Sequence, residues 1–107
     1  MDGTQAEFER RLGDARQLFL DAWDARVGDY DAAVAAHYVG HLEEDPQEAL
    51  RWHALALDHA QLDERGGEML GSLFVSLGGA HEAVGDIAEA ERYYELAAQE
   101  GVEHFRG

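Results

Sequence analysis

The chain has 107 residues, enough for one cooperative domain with a modest core and too few for two. Its 23 Asp and Glu stand against 8 basic residues, all arginine, for a formal net charge of −15, which excludes a phosphate backbone as partner and disfavours an anionic membrane surface. With no cysteine there is neither a disulfide nor a thiolate metal site, and a reducing, cytoplasmic setting is expected. The acidic start MDGTQAEFERR lacks the basic flank of a secretory signal, and no apolar run approaches the roughly 18 residues that span a bilayer, so a soluble, unexported chain is expected.

Apolar residues recur with helical period and the only proline is Pro46, so the sequence predicts an all-α fold of about five helices in a single domain over 1–107. A first helix over 3–27 carries Phe8, Leu12, Ala15, Phe19, Ala22 and Arg26 at alternating steps of four and three, with Leu18 and Trp23 widening the stripe toward the core. Gly28-Asp29 then breaks it, the glycine as an easy C-terminal cap and the aspartate as the next N-cap. A second helix over 30–43 stops before Asp45-Pro46, where an N-cap followed by proline starts a third over 46–62. That helix turns Ala49, Leu50, Trp52, His53, Ala56, Leu57 and Ala60 inward, and Gly66-Gly67 closes the linker after it. The fourth helix, 67–84, presents Leu70, Leu73, Phe74, Leu77, Ala80, His81 and Val84. Gly85-Asp86 repeats the break seen at Gly28-Asp29, and a fifth helix, 87–100, turns Ile87, Ala90, Tyr93, Tyr94 and Ala97 inward before Gly101 ends it. Connections this short leave antiparallel neighbours, and so a stack of helical hairpins.

One stretch repeats. Phe74-x2-Leu77-Gly78-x2-His81, followed by Ala90-x3-Tyr94 and Ala97, resembles the tetratricopeptide repeat, whose pattern is Trp-x2-Leu-Gly-x2-Tyr and then Ala-x3-Phe and Ala. Small Gly78 and Ala90 let two helices approach, while Phe74, Leu77, Tyr94 and Ala97 fill the space around them. An upstream copy begins at Asp45, so that Asp45 matches Asp86, Ala49 matches Ala90 and Ala56 matches Ala97 at an offset of 41 residues, the long-repeat form of the family. In its leading half, Ala33-x2-Ala36-His37-x2-Gly40, His37 occupies the place of the small residue. The resemblance implies a right-handed stack of antiparallel hairpins, a fragment of an α-solenoid: a capping helix over 3–27, a partial repeat over 30–62 and a clear repeat over 67–101.

It also implies work as a non-catalytic scaffold or adaptor that holds a protein segment in a concave groove. The groove places are Asp31, Val34, Tyr38, His41 and Leu42 from one hairpin and Ser72, Val75, Gly79, Glu82 and Ala83 from the next. None is the Lys or Asn with which members of the family grip C-terminal carboxylates, so a basic or amphipathic segment is the expected partner. The bland alternative is that Val34, Leu42 and Val75 pack on the first helix or on a second subunit.

Six histidines raise a small-molecule or metal site as the competing reading. His37 and His41 are four apart on one helix, and the repeat would bring His37, His53 and His81 to the junction of the two hairpins. HYVGH lacks the glutamate of a zinc protease, however, and helix-face histidines are usually packed or hydrogen-bonded. No metal or cofactor is therefore expected. With no cysteine, with Ser72 and Ser76 on a packed helix and no phosphate loop, no enzyme activity is expected either. Two hairpins and one helix are fewer than a repeat array normally needs, and Trp23, Tyr93, Val102 and Phe105 form an apolar excess, which predicts a two-fold homodimer through helix five and the C-terminal segment, or else through the first helix.

Overall fold

The computed structural model describes residues 3–101. Among these residues the fold is all-helical: α1 spans Gly3–Asp24, α2 Asp29–Leu42, α3 Pro46–Ala60, α4 Leu70–Ala83 and α5 Ile87–Gln99, with a short 3-10 helix over Glu64–Met69 between α3 and α4. Each α-helix packs on the one before it in sequence.

Local chemistry sets the boundaries. Asp45 caps α3 by accepting the amide of Gln47 at 3.0 Å, with Pro46 pre-set in the first turn. Asp86 caps α5 by accepting the amide of Glu89 at 3.3 Å, after Gly85 has turned the chain at φ +88°. The step at Gly28-Asp29 works differently from the one expected. Gly28 itself is the N-cap, in extended backbone at φ −164° and without a side-chain cap, and Asp29 is already helical. The carboxylate of Asp29 instead meets His59 Nδ1 on α3 at 2.8 Å. The start expected for α4 at 67 is also displaced, because residues 64–69 wind as a 3-10 turn capped by Asp63 through the amide of Arg65 at 2.8 Å. Gly66 is buried there with its Cα so near the Ala60 carbonyl that a Cβ would collide with it, which fixes glycine at that place.

The core is built from small side chains. Ala33 and Ala36 of α2, Ala56 and Ala60 of α3 and Leu73 of α4 form one buried cluster, with Trp23, Trp52, Met69 and Leu70 packed around it. Alanine lets α2 and α3 approach closely, and two contacts go further. The His53 ring lies on Gly40, where a Cβ would come within 2.7 Å of it, and the Tyr94 ring lies on Gly78, where a Cβ would come within 2.5 Å. Contacts run in opposite senses along α2 and α3: Asp29 opens α2 and meets His59 late in α3, whereas Gly40 late in α2 meets His53 earlier in α3.

Some residues expected to face the core stay outside it. Phe8, Leu12 and Leu18 on α1 are 58%, 39% and 65% exposed, and Ile87 is 48% exposed at the start of α5. For Phe8 the cause is length: the 22 residues of α1 extend about 33 Å against about 21 Å for the 14 residues of α2, so its first two turns run past the surface it packs on. Leu12 instead borders an opening beside the end of α2, and Leu18 is on an exposed flank of the helix.

Candidate functional site

Three imidazoles meet where α2 crosses α3. His37 and His41 lie one turn apart on α2 with ring centroids 4.4 Å apart, and the His53 ring from α3 is 5.4 Å from the first and 5.2 Å from the second. The Nε2 atoms of His37 and His41 are 3.2 Å apart, so one ring donates and the other accepts. Burial, reinforced by the neighbouring imidazoles, lowers the pKa of His37 and of His53 to about 4, and burial also lowers that of His41. All three are therefore neutral near pH 7. The Nδ1 atoms of His37 and His53 are buried without a protein hydrogen-bond partner.

The expected triad of His37, His53 and His81 does not form in that way. His81 stacks on Tyr93 of α5 at 5.4 Å and 13°, and its Nδ1 lies 3.8 Å from Asp86. His41 takes the place expected for His81. Among the described residues no group of three His, Asp or Glu side chains is arranged to hold a metal ion.

The groove residues on α2 and α4 fall into two environments. On α4, Ser72, Gly79, Glu82 and Ala83 are exposed around a half-buried Val75, and the Tyr94 hydroxyl donates to Glu82 Oε2 at 2.7 Å. On α2, Asp31, Tyr38 and His41 are exposed while Val34 and Leu42 are half-buried. Phe19 of α1 stacks on Tyr38 at 4.8 Å and 14°, so α1 already covers part of that face.

A cleft of about 770 Å³ opens where the N-terminal half of α1 runs past the end of α2. Glu9, Leu12, Gly13 and Arg16 form one wall; His41 and Leu42, with Glu43 and Glu44 of the linker, form the other. Arg16 crosses it to Glu43 at 2.9 Å. Only His41 and Leu42 of this set follow from the repeat pattern. The remainder depends on the register of α1 on α2, which no local spacing in the sequence fixes.

The aromatic surplus that suggested a dimer is mostly absorbed within the chain. Trp23 meets Trp52 edge-on at 5.5 Å, and Tyr93 packs against Phe74 at 6.1 Å and against His81. Val102 and Phe105 lie outside the described residues. No helix among the described residues is long and apolar enough to cross a membrane. No family model, curated protein or solved structure matches this chain.

Proposed function

We propose that the protein is a non-catalytic interaction scaffold of the cytoplasm, a short right-handed stack of tetratricopeptide-like hairpins that binds a basic or amphipathic protein segment. Support for the repeat comes from packing: His53 and Tyr94 are 41 residues apart, and each lays its ring on a glycine of the helix before it. The observation that carries the binding reading is the accessible mixture of carboxylates and half-buried aliphatic side chains on α2 and α4, including Asp31, Val34, Val75 and Glu82. An apolar surface bordered by acids suits a partner whose apolar residues are bordered by bases. The histidines give less support to a small-molecule or metal role, because the three that converge are packed against one another and His81 is engaged elsewhere.

A two-fold homodimer through α1 belongs to the same proposal. Leu18 lies about 160–180° around the helix from Arg16 and Glu9, on the flank away from the cleft. Residues 5–18 carry Glu7, Glu9 and Asp14 against Arg10, Arg11 and Arg16, which makes this stretch neutral within a chain of charge −15 and the place where two copies repel least. The test of the scaffold reading is affinity capture from source-cell extract with the purified chain. Enrichment of proteins with basic segments, weakened as salt rises from about 0.1 M to about 1 M, is expected; turnover of a small-molecule library with no protein enriched reverses the reading.

A further inference from the structure

The cleft between α1 and the end of α2 has chemistry that the repeat pattern does not assign. Two leucines line it, Leu12 of α1 on one side and Leu42 of α2 on the other, and Phe8, outside the lining, lies one turn farther along α1 at 58% exposure. Three carboxylates line it, Glu9, Glu43 and Glu44. The one arginine in its wall, Arg16, is committed to Glu43 at 2.9 Å. Among the described residues Glu9 accepts from a neutral donor, Gln5 Nε2 at 3.2 Å, which leaves its charge uncompensated there. Glu44 is exposed on the linker and makes no ion pair among the described residues.

We propose that this cleft is the docking site for a cationic amphipathic peptide, with Arg or Lys side chains against Glu9 and Glu44 and a leucine-sized side chain on Leu12 and Leu42. The inference rests on the binding reading above and seats the segment between α1 and the end of α2, sharing Leu42 with the α2 face, rather than on α4. Charge selects this occupant over a second copy of the chain: the cleft carries two net carboxylates, which attract a cation, whereas the dimer is assigned to the opposite flank of α1, at Leu18. Arg16, paired with Glu43, leaves the other two acids to the ligand.

The probe is a fluorescein-labelled peptide of about 14 residues, built from Leu and Arg with helical period, set against the same peptide with Glu in place of Arg. Fluorescence anisotropy with the full chain at about 0.1 M salt reads the affinity. The isosteric double variant Glu9→Gln/Glu44→Gln is expected to weaken binding of the Arg peptide about five- to tenfold. A charge-matched control, Glu68→Gln/Glu95→Gln, is expected to change it by less than about twofold, and the Glu peptide is expected not to bind. Equal losses in the two double variants would show diffuse charge attraction and overturn the site. If binding instead survives in the cleft variant and disappears in Ser72→Arg/Ala83→Arg, the cleft is wrong while the scaffold reading stands. No binding of the Arg peptide to the unaltered chain overturns both. A mass twice 11.8 kDa that returns to one chain in Leu12→Asp would seat a second copy in the cleft and overturn the peptide.

Discussion

The two helix pairs, α2 with α3 and α4 with α5, use the same device with two parts exchanged. In each, a ring from the later helix lies on a glycine of the earlier one, His53 on Gly40 and Tyr94 on Gly78. The rings correspond under the 41-residue offset, but the glycines do not: Gly78 corresponds to His37, and Gly40 corresponds to His81. Glycine and histidine have traded places one turn apart. The seat for the ring therefore moves by one turn, and the histidine left beside it finds different company. In the first pair His37 sits among His53 and His41; in the second, His81 stacks on Tyr93. The lesson is that the small residue, rather than the identity of the ring, decides where two such helices meet, which is why a histidine at the expected small place did not prevent the first pair from closing.

Acid separates the pairs most strongly. His37 and His53 have folded pKa values of about 4 against about 6.5 for an unfolded histidine. A depressed histidine pKa means that the unfolded chain takes up protons first, so this contribution is fully present above about pH 6.5 and is lost as pH falls toward 4. The loss is about 2–3 kcal/mol for each ring. Urea-derived stability is expected to drop across that window, and native-state hydrogen exchange to show α2 and α3 opening before α4 and α5. A flat stability between pH 6.5 and 4, or earlier opening of α4 and α5, would refute the unequal roles given to the two pairs.

Next in size are the seats themselves. Gly40→Ala places a Cβ within 2.7 Å of the outer edge of the buried His53 imidazole, and Gly78→Ala places one within 2.5 Å of the middle of the Tyr94 ring. Each substitution is expected to cost about 1–3 kcal/mol, lowering Tm by about 4–8 °C per kcal/mol. The sharper measurement is a double-mutant cycle. If the ring is what the new methyl strikes, Gly40→Ala with His53→Ala costs less than the sum of the two, by at least about 0.5 kcal/mol. Strict additivity would mean that the glycine serves α2 alone.

Much of this architecture could be read from the chain, because it rests on local chemistry. The Asp45-Pro46 start, the Gly85-Asp86 break and the alanine faces of α2 and α3 each act within a few residues, where spacing is informative. What could not be read depends on how far elements slide past one another. Gly66 looked like linker glycine, but its burial against Ala60 belongs to a 3-10 turn whose geometry depends on α3. His41 rather than His81 joined His37 and His53 because the seat at Gly40 carries the His53 ring toward the end of α2. The cleft is hidden in the sequence for the same reason, since only the register of α1 on α2 shows that Leu12 and Glu9 face an opening.

The smallest expected effects concern the two Gly-Asp steps, which are alike in sequence and unlike in structure. Gly85 has φ +88°, a conformation that side-chain-bearing residues avoid because the Cβ crowds the carbonyl, even though the space around it is empty. Gly28 has φ −164°, extended backbone open to any residue, and a Cβ there would also meet nothing within 4 Å. With space equal at both, backbone conformation and the capping role decide. Gly85→Ala is expected to destabilise by about 1–2 kcal/mol. Gly28→Ala is expected to change stability by less than about 0.5 kcal/mol, because alanine narrows the unfolded ensemble but is a poorer N-cap than glycine. Urea midpoints at pH 7 should therefore fall clearly in Gly85→Ala and barely move in Gly28→Ala. Equal falls in the two would mean that the steps before α2 and α5 are one device after all, with Gly28 turning the chain as Gly85 does.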